Sequence, residues 1–173
     1  MPMPHKLYHG FTLLEFLVAM AVITIMTTVG IPSFLDMIVK HRLKGATEAV
    51  YGDLQLARME AIKRNKSISL SFQAGDPGSW CYAIHDNNGC DCHIENDCRI
   101  DEQTSPVTYG QGFNGIDLET NFKSDTTSFN PVRGTSNSGS ITLTTNEKSS
   151  KLIVSSLGRI RVCSNDLGSY PSC

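Results

Sequence analysis

Arg159 and Arg161 flank one isoleucine in Gly158-Arg159-Ile160-Arg161-Val162, and that spacing is where this sequence offers chemistry. In an extended strand, side chains alternate between faces, so Ile160 and Val162 turn to a core and both arginines turn outward together. Two guanidiniums on one strand face repel each other unless an anion lies between or across them. Phosphate suits such a pair, because arginine presents planar, fork-like donors. Gly158 gives a side-chain-free approach for a ligand. The plainer reading pairs the two arginines with acids in the sheet or in another subunit. Arg133, Lys148 and Lys151 are further basic candidates, placed nearby by sequence alone. The chain's formal charge is −2, so any anion binding must come from such a local patch and not from the field of the whole molecule.

Other candidate chemistry is weaker. Cys90, Cys92, His93 and Cys98 offer zinc ligand types, but they lack a regular Cys-x-x-Cys pair. His41, His85 and His93 have no serine, cysteine or acid partner set by a motif. No Walker-type glycine loop and no paired-carboxylate signature occurs. No enzyme, metal or cofactor is expected.

One acid stands in an unusual place. From Phe11 to Leu35 the only ionisable side chain is Glu15. The run is long enough to cross a bilayer as a helix, which needs about 20 apolar residues. A carboxylate inside such a helix costs roughly 2.5–3.5 kcal/mol on insertion scales, so it needs a partner. A secretory signal would carry a shorter apolar region with its cleavage site behind it. Here the apolar run is longer than that.

Gly10-Phe11-Thr12-Leu13-Leu14-Glu15 and the unbroken apolar helix after it resemble the leader of type IV prepilins and type II secretion pseudopilins. The resemblance implies that a prepilin peptidase cuts after Gly10 and N-methylates Phe11. It implies that Glu15 neutralises the free amine of a neighbouring pilin subunit during assembly. Together with that leader, Gly158-Arg159-Ile160-Arg161 resembles the FimT/GspH branch of minor pilins and pseudopilins. Phe129-Asn130-Pro131-Val132-Arg133-Gly134 and Gly139-Ser140-Ile141-Thr142-Leu143 fit the same branch. For FimT-type members this implies binding of extracellular double-stranded DNA for uptake in natural transformation, with Gly158, Arg159 and Arg161 as the site. Such contacts go to phosphate, are independent of sequence and depend strongly on salt. No aromatic platform beside the arginines suggests stacking on single strands, and Tyr170 is the only ring nearby in sequence. The alternative within the branch is a structural minor pilin or GspH-like pseudopilin that primes or tips a filament without touching DNA.

The same resemblance places the chain in the inner membrane as a single-pass protein, with its C-terminal domain in the periplasm. It reaches the cell surface when built into a pilus. Charge counting gives the opposite orientation, since Lys40, His41, Arg42 and Lys44 follow the span and only Lys6 precedes it. Removing the first ten residues takes Lys6 away and moves the charge from −2 to −3. Six cysteines with an exported domain favour disulfides. Cys163 and Cys173 could close a C-terminal loop, leaving Cys81, Cys90, Cys92 and Cys98 to pair among themselves.

These features need elements to position them. Residues 1–10 read as leader, 11–35 as the transmembrane and assembly half of a long helix, and 36–66 as its amphipathic half. Pro32 should bend or loosen that helix. Leu43, Ala46, Val50, Leu54, Ala57 and Ala61 recur at steps of three and four, a stripe made to pack on a sheet. Residues 67–173 read as a β-sheet domain with a cysteine-rich loop at 86–101. Ile68, Leu70 and Phe72, then Trp80, Tyr82 and Ile84, alternate as half-buried strands do. Turns are expected at residues 75–78 and 86–89, and weaker strands at 107–109, 116–122 and 126–129. Residues 134–139 read as a mobile loop. Ile141 with Leu143, Leu152 with Val154, and residues 158–163 make three strands whose short connections imply antiparallel neighbours. The fold class is α+β and type IV pilin-like: a long N-terminal helix packed on an antiparallel β-sheet domain.

Overall fold

The computed structural model describes residues 10–75, 78–86 and 89–173. The leader ahead of Gly10 and the turn residues Asp76, Pro77, Asn87 and Asn88 lie outside the described residues. One helix, α1 (Leu13–Arg64), is followed by ten strands. Thr12 caps α1: its hydroxyl accepts from Glu15 N at 3.2 Å, so Thr12 and Glu15 hold the first and last places of a capping-box pattern.

The chain divides inside α1, after Ile38, into two compact units. The first is the apolar half of the helix. It is long and apolar enough to cross a membrane, and none of its most apolar window is buried. Its threonines satisfy themselves: the Thr24, Thr27 and Thr28 hydroxyls donate to carbonyls of the preceding turn at 2.8–3.0 Å. That bonding lets a polar side chain sit in an apolar segment without an outside partner. The backbone stays helical through Pro32.

The second unit carries every strand. One sheet has the order β5-β2-β1-β7, from β5 (Val107–Tyr109), β2 (Cys81–His85), β1 (Ile68–Gln73) and β7 (Thr126–Phe129). The other has the order β10-β9-β8-β6, from β10 (Ile160–Cys163), β9 (Ser149–Val154), β8 (Gly139–Thr144) and β6 (Asp117–Thr120). All ladders are antiparallel. A Gly75–Leu118 bridge joins the first sheet's connection to β6. Two four-stranded sheets and one two-stranded sheet stand where the sequence suggested one.

The helical stripe is where its spacing puts it. Leu43, Ala46, Val50, Leu54, Ala57 and Ala61 are fully buried, in one cluster with Leu70, Phe72, Tyr82, Ile141, Leu143 and Leu152 from the two sheets. Thr47 joins the stripe unannounced. Its buried hydroxyl donates to Leu43 O and meets Ser150 Oγ at 2.6 Å, so α1 and β9 share a satisfied polar contact inside the core. The Tyr82 hydroxyl ties the other sheet to the helix, donating to Asp53 at 2.8 Å. Burial, and then the Asp53 charge, push that phenol well above its ordinary range.

The outer face of β2 is covered as well. Cys81 and Ala83 pack with Cys90, Cys92, Cys98 and the half-buried Val107 in a second, smaller cluster. Disulfides join Cys81 to Cys92, Cys90 to Cys98, and Cys163 to Cys173. All three thiols of the cysteine–histidine zinc set are thus used up. A two-strand hairpin, β3 (Arg99–Ile100) with β4 (Gln103–Thr104), grows from this loop.

A candidate nucleic-acid interface at the β9–β10 turn

The register of β9 on β10 decides which side chains share a face. Val154 pairs with Ile160, Ile153 with Arg161, Leu152 with Val162 and Lys151 with Cys163. Ile160 is buried and Val162 half-buried on the helix side, while Arg159 and Arg161 are exposed. By register, Arg161 shares the outward face with Ile153 and Lys151. A three-residue turn, Ser156-Leu157-Gly158, closes the hairpin. Ser155 N donates to Arg159 O at 3.0 Å and Gly158 N to Ser155 O at 2.8 Å. Arg159 N donates to the Ser155 hydroxyl at 3.1 Å. Gly158 has φ +72°, the left-handed residue that such three-residue hairpin turns require.

Gly158 does not offer its bare backbone to a ligand. It is buried, and a Cβ there would lie 1.8 Å from the carbonyl oxygen of Gly134. The space that the sequence suggested for a ligand is filled by the chain's own loop. That loop is also not the free segment expected at residues 134–139. Gly134 N donates to Asn130 O at 2.8 Å, Asn130 N to Thr135 O at 2.7 Å, and Ser136 N to Ser156 O at 3.1 Å. The Ser136 hydroxyl donates to Ser155 O at 3.0 Å. The Asn137 amide accepts from Ser128 N and donates to Thr126 O, both at 2.7 Å, lying along the edge of β7 as a strand would. Polar side chains read as loop composition are here spent on backbone groups.

The crossing of the two turns gathers basic residues. Arg133 precedes Gly134 and Arg159 follows Gly158, so both exposed arginines adjoin the glycine contact along the chain. Arg58, which the sequence gave no reason to single out, comes from α1. A Cβ on Gly134 would lie 2.9 Å from Arg58 Nε. Lys151 shares the outward sheet face with Arg161 but sits further along it. Lys148 is not brought to the cluster. It lies in the β8–β9 turn at the other end of the hairpin, largely buried, 3.9 Å from Glu147. Among the described residues, neither Arg159 nor Arg161 has an ion-pair partner, so no acid of this sheet takes them up. The same holds for Arg58 and Arg133. What the arrangement can do is accept an anion from outside.

On the helix side of β10 the surface is different. A cleft of about 470 Å³ is lined by Glu48, Tyr51, Ile160, Val162 and Tyr170. The Tyr170 hydroxyl donates to Glu48 at 3.3 Å. Burial and the nearby Glu48 carboxylate push Tyr170 up to about 12.

At the other end of the chain, Gly10, Phe11 and Glu15 are all exposed. The Glu15 carboxylate has no ion-pair partner among the described residues.

Residues 46–158, more than half of the chain, match the family described as type II transport protein GspH. Residues 5–31 match the prokaryotic N-terminal methylation motif. No curated protein matches the sequence. Among solved structures, the fold is similar to that of the type IV minor pilin FimU of Pseudomonas aeruginosa. In one crystal form of FimU the TM-score is 0.51 at 20% identity, covering 70% of this chain and 88% of that one. The minor pseudopilin EpsH from the Type 2 Secretion System of Vibrio cholerae gives a TM-score of 0.50 at 12% identity, covering 71% and 97%. At these identities the two structures speak for the fold.

Proposed function

This chain belongs to the GspH family, and on that premise we propose that it is a minor type IV pilin of the FimT kind that binds extracellular double-stranded DNA for uptake in natural transformation. Before assembly it is held in the inner membrane by the apolar half of α1, with residues 67–173 in the periplasm. Prepilin peptidase removes the leader after Gly10 and methylates Phe11, and Glu15 meets the new amine of a neighbouring pilin. Incorporation carries the domain to the cell surface.

The observation that carries the DNA reading is the state of Arg159 and Arg161. Both are exposed, two positions apart on one side of the hairpin, and neither is paired with an acid among the described residues. Phosphates of a duplex are the polyanion such a pair suits. Two guanidiniums make few contacts, so useful affinity comes from several copies on one fibre or from neighbouring basic residues. Arg133 is such a neighbour, held by the glycine crossing. Lys151 adds charge on the same face. Lys148 contributes at most a distant field.

The test is a gel shift with the full chain in neutral detergent and a duplex of mixed sequence. The wild type should shift the duplex at low salt and release it as salt rises. No shift at low salt, or an equal shift by Arg159→Gln with Arg161→Gln, would sink the DNA site. The second reading is a GspH-like pseudopilin that primes or tips a filament. The family description favours it, and exposed unpaired arginines also suit a carboxylate of an adjacent subunit. A double variant that still shifts DNA but no longer co-purifies with partner pilins would select it.

A further inference from the structure

The strand that carries Arg161 has an open side. β10 ends its sheet, with β9 on one flank only. Ser155 N donates to Arg159 O across the hairpin, and the register beyond it pairs Arg161 with Ile153 and Cys163 with Lys151. Antiparallel pairs alternate, so Arg161 and Cys163 turn their backbone groups to β9, while Ile160 and Val162 turn theirs away. No group among the described residues bonds the amide or carbonyl of Ile160 or Val162 on that side. The next amide in the same row is taken by the chain's own tail. Ser164 N donates to Pro171 O at 2.9 Å, and the Cys163–Cys173 disulfide closes that loop. The row is filled at one end and free at two residues.

The cleft of about 470 Å³ lies beside the free pair, between Glu48 and Tyr51 of α1, Ile160 and Val162 of β10, and Tyr170. A strand laid antiparallel to β10 would aim the residues opposite Ile160 and Val162 at this cleft. The residue between them would stand on the outward face, next to Arg161. The cleft suits apolar side chains. Arg161 has no acid partner among the described residues and suits a carboxylate. Free backbone groups in a row, with pockets for alternate side chains, are what recognition by strand addition uses.

We propose that β10 and its cleft dock an extended apolar–acidic–apolar segment of a different polypeptide, added antiparallel to β10. The chain cannot supply such a segment itself. Its own triplets of this kind lie in α1, at Asp91 between two disulfide-bonded cysteines, or at residues 116–118, where Ile116 and Leu118 are already in the core. The first nine residues contain no acid. A second copy therefore has nothing of the right chemistry to offer in extended form. The inference goes beyond the DNA reading, and the two ligands would compete for Arg161.

The experiment follows amide exchange in the full chain in neutral detergent, with the capped probe acetyl-Thr-Val-Glu-Val-Thr-amide. Without probe, the Ile160 and Val162 amides should exchange faster than those of Arg161 and Cys163. Saturating probe should slow the first two and leave the others unchanged. Methylating the backbone nitrogen of either probe valine should weaken binding about fivefold, one hydrogen bond, whereas methylating that of its glutamate should not. Lysine in place of the glutamate, or Arg161→Gln, should weaken binding about threefold. Val162→Pro removes an N–H that β9 does not use, at a place where an outer strand tolerates proline, and should weaken binding about fivefold. A probe that leaves both amides exchanging as before overturns the docking site. Equal binding by the valine-methylated probes, or by Val162→Pro, overturns strand addition. Protection of Ile160 and Val162 that grows with protein concentration in the absence of probe assigns the place to a second copy and overturns the choice of occupant. Loss of duplex binding alone touches the DNA reading and not this one, since the probe is read without DNA.

Discussion

At the C-terminal end of α1, Arg64 and Lys66 are neutralised; around the β9–β10 turn, Arg58, Arg133, Arg159 and Arg161 are not. Arg64 bonds Glu60 at 2.5 Å and also Asp101, and Lys66 reaches Asp101 at 2.5 Å and Asp86 at 3.9 Å. Bonds from Lys66 and Arg64 hold the Asp101 carboxyl below its ordinary range, and the Arg64 bond does the same for Glu60. This network serves the fold. Asp101 and Glu102 form the two-residue turn between β3 and β4 with φ +50° and +66°, a conformation that side chains other than glycine resist. Charge pairs pin that turn to the helix. The second group pins nothing by charge. Its geometry is fixed by backbone bonds and by the Gly134–Gly158 contact, and its charges stay open. The same residue types are fastening in one place and left available in the other.

The largest effect should come from removing what positions the open group. Gly158→Ala adds a Cβ at φ +72° against the Gly134 carbonyl. A left-handed residue costs about 1–2 kcal/mol and overpacking about 1–3, so chemical denaturation should show a loss of roughly 2–5 kcal/mol. Duplex affinity should fall with it. An unchanged midpoint would mean that the crossing does not fix the arginines. Next, Arg159→Gln with Arg161→Gln should lower duplex affinity at least about tenfold and flatten the salt slope by about 1.8, two phosphates. Arg64→Gln with Lys66→Gln should change affinity by less than about twofold, since its charges were already compensated. Equal losses from the two pairs would erase the distinction between them.

The helical stripe was legible in the sequence because one period of 3.6 residues decides which side chains face the sheet. Strands β8 to β10 were legible because alternation and short turns are local signals. The crossing was not. It joins Gly134 to Gly158 through a carbonyl that enters where a side chain is missing, and neither glycine's neighbours announce the other. Arg58 reads on the helix as an ordinary off-stripe cation, and only the closure of two distant turns over it makes it different. Gly158 was singled out for the right property, the absent Cβ, but its own chain uses that space. Lys148 was near in sequence and far in space, because β9 runs away from the turn that carries Arg159.

Two smaller effects would sharpen the contrast. Asp101 and Glu60 have depressed pKa values in the fold, so the stability they contribute is present above the ordinary carboxylate range, about 3.9–4.3, and is lost as pH falls through their lower values. Protection of the Asp101 and Ser105 amides, relative to their intrinsic exchange rates, should therefore fall on acidification, and Asp101→Asn should flatten that response. Smallest is Tyr170. Its pKa is raised from 10.0 to about 12, so its contribution is complete below 10.0 and lost as pH climbs toward about 12. Tyr170→Phe should remove that alkaline step from the unfolding curve.

Asn137 has a consequence of its own. A sheet margin with free amides and carbonyls invites the same margin of another molecule, and a polymer-forming protein is kept at high local concentration beside its copies. By occupying Thr126 O and Ser128 N, one carboxamide makes β7 a poor template for zippering. Replacing it with leucine would leave the arginines in place and expose a seam along which copies of the chain could pair edge to edge.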